Sequence, residues 1–399
     1  MRHTFVDLGM SPLCESYVTA EQLNQMEPFY PLHAYVCARC FLVQVQEYVS
    51  PEGIFTEYAY FSSYSEAWLR HARAYTDLVT ERFGLNADTR VVELASNDGY
   101  LLQYFVQKGM PVLGIEPAAN VAQAAIEKGI PTLVRFFGLQ AGRDLAADGR
   151  QADLLLGNNV LAHVPDVNDF VSGMKLLLKP HGVITMEFPH LLRLMEEHQF
   201  DTVYHEHFSY FSFVTVTRIF AAHGLTIFDV EELPTHGGSL RIYARHTEDD
   251  TKPIGSRVAD LAAQEAAAGL TSLDRYLAFA EQVNDTKHNL VEFLIAAKRL
   301  GKTVVGYGAP AKGNTLLNCC GIRSDLVAYT VDKSPHKHGR FLPGTHVPVY
   351  PPEKIQETKP DYLLILPWNL KDEIMEQMSS IRDWGGKFLV PIPDVKVYE

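Results

Sequence analysis

The stretch that decides the fold runs from Arg90 to Leu102 and reads RVVELASNDGYLL. It begins as an apolar strand with Glu93 near its end, passes through a polar turn that includes Gly99, and continues as an apolar helix. In open α/β sheets, nucleotides bind at turns of this kind, at the carboxyl edge of the strands. The stretch therefore predicts one strand-turn-helix unit of a nucleotide-binding sheet.

The same alternation of strand and helix patterns continues along the chain. Apolar strands (PVLGIEP, PTLV, ADLLLGNNVL, GVITMEFP) are separated by helical patterns of 10 to 17 residues. Strands separated by helices predict a mostly parallel, doubly wound sheet. The segments TIFDVEELP and GGSLRIYARH that follow have the pattern of two antiparallel strands, and we expect them to close this sheet.

Two further segments flank this unit. Residues 1–61 are short and irregular, with Cys37 and Cys40 in a C-x-x-C, and so small a unit needs a staple or a neighbour to be stable. Residues 248–399 combine helical patterns with a second β/α series. The sequence therefore predicts an α/β protein with a small N-terminal domain (1–61), a central domain (62–247), and a helical bridge followed by a C-terminal α/β domain (248–399).

Composition excludes several classes of protein. The 399 residues carry 35 basic against 48 acidic side chains, a net charge of −13, which argues against a nucleic-acid-binding surface. No apolar run reaches the ~18 residues of a membrane span, and the N-terminus lacks an apolar signal core. We therefore expect a cytoplasmic protein with no membrane or nucleic-acid partner.

The first loop by itself is a weak signal for S-adenosylmethionine (SAM). Glu116 ends the second strand, 23 residues after Glu93, where an acid accepts hydrogen bonds from ribose hydroxyls. The usual methyltransferase turn is acid-x-Gly-x-Gly-x-Gly, but Ala95 and Asn97 occupy the first two glycine positions and only Gly99 remains. Taken alone, the two acids are equally well explained as a turn cap and a solvated strand end.

A second loop supports a rival interpretation. Gly306-x-Gly308-x-x-Ala311 fits a dinucleotide fingerprint, and Asp332 ends the next strand, 24 residues after Gly308. This pattern favours an NAD(P)-dependent oxidoreductase of a sugar nucleotide. Alternatively, the loop is an anion site with free backbone N–H groups, or purely structural. A third hypothesis is a binding protein without catalytic activity.

Longer strings resemble one enzyme family. These are ADLLLGNNVLAHVPDVNDF (152–170), MEFPHLLRLMEEHQFDTVYHEHFSYFS (186–212) and VVGYGAPAKGNTLLN (304–318). Together with ELASNDGYLL and the C-x-x-C, they resemble the SAM-dependent C-methyltransferases of nucleotide-linked deoxysugars, in the right order over nearly the whole chain. The strings FDTVYHEHFSY and YGAPAKGN are specific, because generic fold periodicity explains neither.

The resemblance implies a fold and a reaction. The fold would consist of a small zinc-binding-type N-terminal domain, a Rossmann-like SAM domain, and a C-terminal Rossmann-like domain that helps to hold the nucleotide sugar. Family members methylate a sugar carbon next to a ketone, usually C3 of a dTDP-4-keto-6-deoxyhexose and sometimes C5. The reaction would pass through an enolate formed by a histidine base.

The resemblance also implies site residues. The residues expected to contact SAM are Glu93, Ala95, Asn97, Gly99, Glu116, Pro117, Asn158 and Asn159. Those expected to line the sugar pocket are Tyr58, His163, Tyr204, Glu206 and His207, with His207 as the base. We expect further substrate contacts from His236, Gly308, Lys312, Asn314, Lys337 and Arg340.

The segment Tyr204–His207 poses a geometric problem. In an extended strand, Tyr204 and Glu206 would share one face and His207 would lie on the other. The shared role therefore requires a turn. Two other interpretations of this segment are a metal-binding H-x-H pair and an aromatic core.

The zinc expectation is incomplete. Structural zinc takes four ligands, and only Cys37 and Cys40 match the family pattern. In the family, a first C-x-x-C-G precedes the segment that corresponds here to Phe5–Gly9, and this sequence begins too late to contain it. We therefore expect half of the site to be absent, with two partly buried thiols as the alternative.

Overall fold

The computed structural model describes residues 2–51, 53 and 61–399, apart from the side chain of Arg2. Contacts divide the chain into two compact units. The first unit consists of residues 1–48, 191–207 and 272–399, and the second of residues 49–190 and 208–271. The three-domain boundaries drawn from the sequence stay a prediction.

The N-terminal part of the first unit is an antiparallel sheet. Its strands are β1 (Arg2–Ser11), β2 (Tyr30–Cys37) and β3 (Val43–Val45). β2 pairs with both neighbours, and its alternating side chains Leu32, Ala34 and Val36 are buried. Phe5 lies on β1, and its ring stacks on that of Phe279 at a centroid distance of 4.6 Å. This small sheet therefore completes its core with residues from the C-terminal part of the same unit.

The second unit contains a seven-stranded sheet. Its strands are β4 (Val91–Leu94), β5 (Val112–Ile115), β6 (Thr132–Leu133), β7 (Ala152–Asn158), β8 (Leu178–Pro189), β10 (Leu225–Leu233) and β11 (Ser239–His246), while β9 (Ser209–Tyr210) lies outside it. The order is β10-β11-β8-β7-β4-β5-β6, with β4 to β8 parallel and β10 and β11 antiparallel. This confirms the predicted parallel sheet and its two closing antiparallel strands.

In the described part of the second unit, seven α-helices accompany this sheet. They are Glu66–Phe83, Leu102–Gln107, Ala119–Glu127, Leu139–Ala147, Val167–Leu177, Phe213–Ala222 and Ser256–Ala267. The first begins where Ser65 Oγ accepts the Trp68 N–H, and it ends at Gly84, which adopts a φ of 62°. Ala72, Tyr75 and Val79 lie on its buried face at helical spacing.

The C-terminal part of the first unit is a second open sheet. Its strands are β12 (Val304–Tyr307), β13 (Thr330–Val331), β14 (Val349–Tyr350), β15 (Tyr362–Ile365), β16 (Lys387–Val390) and β17 (Lys396–Tyr398). The order is β14-β13-β12-β15-β16-β17, and only β17 is antiparallel. The α-helices of the first unit are Leu191–Glu196, Leu273–Leu277, Phe279–Arg299, Ala311–Cys320, Lys354–Thr358 and Lys371–Gln377.

No helix in the described part of the chain is long and apolar enough to cross a membrane.

Candidate active site

The first loop follows β4 and keeps an unusual backbone without its full set of glycines. Ala95, Asn97 and Gly99 all have a left-handed φ, of 55°, 49° and 75°. Only glycine adopts this region freely, and asparagine tolerates it better than alanine does. At Gly99 a Cβ would also lie 2.3 Å from Ile130 Cδ1, so that the Ile130 side chain would have to move. The loop therefore favours glycine at its last position and has other residues at the first two.

Glu116 holds this loop in place. Its Oε2 accepts the Asn97 N–H at 2.9 Å, and its Oε1 accepts the Ala118 N–H at 2.8 Å, on the far side of Pro117. Burial raises the pKa of Glu116, and the two backbone N–H groups counteract part of that effect. Each carboxylate oxygen still has a second lone pair that a hydroxyl can use.

Three buried acids converge on the loop. Glu93, Asp98 and Glu116 are 1%, 1% and 5% exposed. Burial, together with the charges of Glu116 and Asp98, raises the pKa of Glu93 well above its usual value. Oε2 of Glu93 and Oδ1 of Asp98 are buried without a hydrogen-bond partner among the described residues. Such a cradle suits a ligand that brings both positive charge and donors.

The end of β7 adds amide groups to this site. Asn159 has a φ of 55° and donates its N–H to the Glu187 carbonyl at 2.7 Å. Its Nδ2 lies 2.9 Å from Nε2 of His236, which accepts because an amide nitrogen only donates. Nδ2 of Asn158 and Oδ1 of Asn159 are buried without a partner in the part of the chain that the structure describes. The structure thus gathers Asn158, Asn159 and His236 at one edge of the sheet.

The predicted pocket residues are divided between the units. His163 ends a 3₁₀ turn (Leu161–His163) in the second unit, and its N–H donates to the Val160 carbonyl. Tyr204, Glu206 and His207 belong to the first unit. Tyr58 lies outside the described residues.

The segment Tyr204–His207 forms the turn that the shared role requires. The His207 N–H donates to the Tyr204 carbonyl at 2.9 Å, and the two rings lie 4.1 Å apart between centroids. Nδ1 of His207 lies 3.0 Å from the Thr202 carbonyl oxygen. Because a carbonyl only accepts, Nδ1 carries the proton, and in the neutral ring the lone pair lies on Nε2. This is the tautomer of a base that acts through Nε2.

Glu206 lies in an apolar and acidic setting within the first unit. Burial, and then the nearby charge of Glu15, raises the pKa of Glu206 to about 8. Cys14 Sγ lies 3.7 Å from its Oε1. At neutral pH the carboxyl group is therefore mostly protonated, and a protonated carboxyl donates a hydrogen bond.

In the second loop, both backbone polar groups of Ala309 already form hydrogen bonds within the chain. The Ala309 N–H donates to Asp332 at 2.8 Å, and the Ala309 carbonyl accepts from Tyr17 Oη at 2.5 Å and Lys337 Nζ at 2.8 Å. The expectation of free backbone N–H groups is therefore wrong at Ala309, because Asp332 already accepts that group.

The other predicted substrate residues of this region have varied surroundings. Lys312 Nζ donates to Asn369 Oδ1 at 2.9 Å, and Asn314 Nδ2 donates to the Cys14 carbonyl at 2.6 Å. Gly308 has a φ of 87° and packs so closely on Pro367 that a Cβ would clash. Arg340 is exposed.

Sequence reasoning missed a buried ion cluster at the end of β8. Glu187 is fully buried and accepts from His71 Nε2 and Arg241 Nη2, both at 2.9 Å, and from Thr235 Oγ1 at 3.0 Å. Burial opposes the charge of Glu187, but His71 and Arg241 outweigh it and lower its pKa. The only sequence signal was an acid at the carboxyl end of an apolar strand.

Cys37 ends β2, and Cys40 lies in the turn that follows it. The N–H groups of Cys40 and Arg39 lower the pKa of Cys37, whereas burial raises that of Cys40. Among the described residues, no group of three or more His, Cys, Asp and Glu side chains could hold a metal ion. The role of Cys37 and Cys40 as zinc ligands stays a prediction.

The comparisons with known proteins agree with this geometry. Residues 1–55 match a family model described as a putative zinc binding domain, 67–230 a methyltransferase domain, and 234–393 a C-methyltransferase C-terminal domain. The chain is 35% identical to the C-methyltransferase NovU of Streptomyces niveus over 98% of its own length and 93% of that protein. The chain belongs to the SAM-dependent C-methyltransferases. This confirms the family, the enzyme class and the fold class that the sequence predicted.

More distant relatives share part of the chain. A ubiquinone biosynthesis O-methyltransferase of Chelativorans sp. is 23% identical over 65% of this chain and 91% of its own. Among solved structures, the PH0226 protein of Pyrococcus horikoshii is 15% identical, with a TM-score of 0.39, over 51% of this chain and 99% of that one.

The buried acids around the first loop have the chemistry that SAM, the cofactor of this family, requires. SAM carries a sulfonium and an ammonium group, hydroxyls and an adenine amine, all of which bring positive charge or donors. The unsatisfied Glu93 and Asp98 oxygens and the second lone pairs of Glu116 are complementary to such a ligand. The second unit of this enzyme therefore fits SAM.

Proposed function

We propose that the enzyme methylates a carbon, C3 in the commonest case, next to the ketone of a nucleotide-activated 4-keto-6-deoxyhexose. His207 would be the base that forms the enolate. The observation that carries this proposal is the hydrogen bond from His207 Nδ1 to the Thr202 carbonyl, which leaves the lone pair of the neutral ring on Nε2. The family resemblance of the FDTVYHEHFSY string supports the sugar substrate.

The first requirement of this reaction is a base that removes the proton next to the ketone. A proton α to a ketone is acidic enough for an enzyme base, and a positioned imidazole typically contributes ~10²- to 10⁴-fold in rate. Nε2 of His207 would take this proton, while the Thr202 carbonyl stabilises the imidazolium that forms. When bound, SAM supplies an electrophilic methyl group for the enolate carbon.

The enolate oxygen needs a hydrogen-bond donor, a contribution often worth a few kcal/mol. Tyr204, whose ring packs on that of His207, is one proposed donor, and His163 and Tyr58 are others. The raised pKa of Glu206, about 8, supports a role for its protonated carboxyl as a further donor at neutral pH.

The proposed cofactor contacts all lie in the second unit. Glu93, Glu116 and the loop that contains Asn97 would bind the charged and ribose parts of SAM. The same proposal gives contacts to Ala95, Gly99, Pro117, Asn158 and Asn159. The unsatisfied oxygens of Glu93 and Asp98 support it.

The proposed substrate contacts are His236 in the second unit and residues around the second loop. Gly308, Lys312, Asn314, Lys337 and Arg340 would bind the nucleotide diphosphate, with dTDP as the nucleotide. The positive charges of Lys312, Lys337 and Arg340 support this, because a diphosphate needs local positive charge and the chain as a whole has a net charge of −13. The internal partners of Lys312 and Lys337 mean that the diphosphate would have to compete for them.

Two smaller proposals complete this assignment. Cys37 and Cys40 would be two ligands of a structural zinc, supported by the N–H groups that lower the pKa of Cys37. The enzyme would act in the cytoplasm, supported by five cysteines that form no disulfide.

The test is methyl transfer from SAM to dTDP-4-keto-6-deoxyglucose, followed by mass spectrometry of the sugar and by exchange of its α-proton in D2O. His207→Asn should lower both rates by ~10²- to 10⁴-fold, because the base is lost. His288→Asn, on the exposed face of the helix Phe279–Arg299, is the control and should keep full activity.

Two results would contradict the proposal. Full methyl transfer by His207→Asn would exclude His207 as the base. A wild-type enzyme that binds SAH yet methylates no keto-sugar nucleotide would exclude the substrate class.

A further inference from the structure

The turn that carries His207 begins with a compact set of hydrogen bonds. Residues Phe200–Thr202 form a 3₁₀ turn, and the Val203 N–H donates to the Phe200 carbonyl at 3.0 Å. Thr202 Oγ1 donates to the Gln199 carbonyl at 2.7 Å. The Thr202 carbonyl points outward to His207 Nδ1. The orientation of the imidazole therefore depends on where this turn is held.

A buried acid connects the turn to the C-terminal sheet of the same unit. Asp201 is 0% exposed, and its Oδ2 accepts the Trp368 Nε1–H at 2.7 Å. Trp368 begins the turn Trp368–Leu370, which follows β15. Asp201 Oδ1 is buried with no hydrogen-bond partner in the described part of the chain. The indole N–H is therefore a direct hydrogen bond from the C-terminal sheet to this carboxylate, in addition to the backbone N–H groups of Asp201 and Thr202.

Lys312 supplies the compensating charge. Its Nζ lies 4.5 Å from the centroid of the Trp368 ring and donates to Asn369 Oδ1 at 2.9 Å. Burial raises the pKa of Asp201 to about 6, and the positive charge of Lys312 limits this rise. Burial lowers the pKa of Lys312, and the charge of Asp201 opposes that change. Each of the two charges therefore favours the charged form of the other.

We propose that Asp201, Trp368 and Lys312 are positioning residues that fix the tautomer and orientation of His207 through the Thr202 carbonyl. The inference rests on the proposed role of His207 as the base. It gives the C-terminal sheet a part in proton abstraction, since Trp368 and Lys312 belong to that sheet's loop and helix. It also gives Lys312 a function that needs no diphosphate.

The competing explanation is that these residues only stabilise the unit. Trp368→Phe separates the two, because it keeps most of the ring and removes the N–H that Asp201 accepts. Trp384→Phe is the matched control: its Nε1 donates to the Pro360 carbonyl at 3.0 Å in the same unit, and Pro360 has no part in the turn. Asp201→Asn is a second variant that keeps an acceptor oxygen and removes the charge.

Two readouts are measured on the full-length enzyme. The first is kcat for methyl transfer, with KM for SAM and the melting temperature. The second is the NMR titration of the His207 ring, assigned from the spectrum of His207→Asn, which needs no substrate. In Trp368→Phe we expect kcat to fall by ~10- to 100-fold with KM for SAM unchanged, because the base is misplaced. The pKa of His207 should fall in both Trp368→Phe and Asp201→Asn, since both changes weaken the bond that holds the Thr202 turn, and with it the acceptor of the imidazolium.

The outcomes separate this inference from the proposed function. If Trp368→Phe matches Trp384→Phe in kcat and in the His207 titration, the positioning role is wrong, whatever the melting temperatures. If Trp368→Phe shifts the His207 titration but His207→Asn retains methyl transfer, the proposed base is wrong while the structural coupling holds. If Trp368→Phe fails to fold, an unchanged kcat and titration in folded Asp201→Asn would overturn the inference.

Discussion

Two loops of this enzyme are built on the same plan and have different surroundings. In each, an acid at the end of the neighbouring strand accepts one backbone N–H from the loop. It accepts a second N–H from the residue two positions after itself. Glu116 accepts from Asn97 and Ala118, at 2.9 and 2.8 Å. Asp332 accepts from Ala309 and Ser334, both at 2.8 Å.

The difference lies in what surrounds each turn. Near the first loop, Glu93 Oε2, Ser96 Oγ and Asp98 Oδ1 are buried and have no partner in the ranges that the structure describes. At the second loop, Tyr17 and Lys337 occupy the Ala309 carbonyl, and Thr330 Oγ1 donates to the Gly308 carbonyl at 2.6 Å. Beside the second loop, the buried atoms without a partner in the described ranges are neutral ones, Asn314 Oδ1 and Thr315 Oγ1. A fingerprint of glycines and an acid therefore does not show which loop keeps buried carboxylate oxygens for a cationic group of a ligand.

The comparison is tested most strongly by removing each acid in turn. Glu116→Ala should weaken SAH binding by ~100-fold, because it removes a ribose acceptor and releases two N–H groups of the loop. Asp332→Ala should leave SAH affinity unchanged and reduce unfolding stability by ~1–3 kcal/mol, since two donors lose their acceptor. Calorimetric titration with SAH and urea unfolding measure the two effects. Equal losses of SAH affinity in both variants would contradict the division of roles.

A second test uses the charge of Glu93. The carboxylate form of Glu93 would bind the donors and the ammonium group of SAH better than the neutral form, so SAH affinity should rise with pH through the raised pKa of Glu93. Glu93→Gln should bind SAH ~10-fold more weakly at high pH and lose this dependence. Titrations at several pH values with Glu93→Gln and wild type check this. A pH dependence that survives in Glu93→Gln would have another origin.

The same group affects the stability of the ligand-free enzyme. Because the folded pKa of Glu93 is raised, its contribution to stability is complete below the unfolded pKa and is lost as pH rises through the folded pKa. Glu93→Gln should therefore gain stability relative to wild type as the pH increases. Urea unfolding at low and high pH, without ligand, measures this. An equal stability difference at both pH values would argue that Glu93 is not buried as described.

The smallest expected effect concerns Ala95, which has a φ of 55°. Ala95→Gly should stabilise the second unit by ~0.5–1 kcal/mol, since relief of the left-handed strain exceeds the entropy cost of glycine. Thermal unfolding with and without SAH measures it. Loss of stability would show that the methyl group packs usefully in the loop.

Much of the fold could be predicted from local patterns. The alternation of apolar strands and helices predicted the parallel sheet and its two antiparallel strands, because each element announces itself within about ten residues. The strand-end position of Glu116 followed from the same pattern. The turn at Tyr204–His207 followed from the shared role that the family resemblance implies. In an extended strand Glu206 and His207 would point to opposite faces, so that only a turn could bring them together.

The contacts that long-range packing creates could not be predicted. Asp201 and Trp368 are 167 residues apart, and His71 and Glu187 are 116 apart. No local period links such residues, since tertiary packing brings them together. The sequence also could not tell that Asp332 would saturate its own loop, because both acids occupy equivalent places in their patterns.

The discontinuous makeup of the first unit has a consequence for biosynthesis. Strands β1 to β3 leave the ribosome before the other parts of that unit, yet Phe5 stacks on Phe279, in the part that begins at residue 272. The apolar face of this early sheet therefore stays uncovered until more than half of the chain has been synthesised. Contacts so distant in sequence slow folding and leave apolar surface exposed to aggregation. We therefore expect a chaperone that covers this nascent sheet during translation to raise the yield of native enzyme.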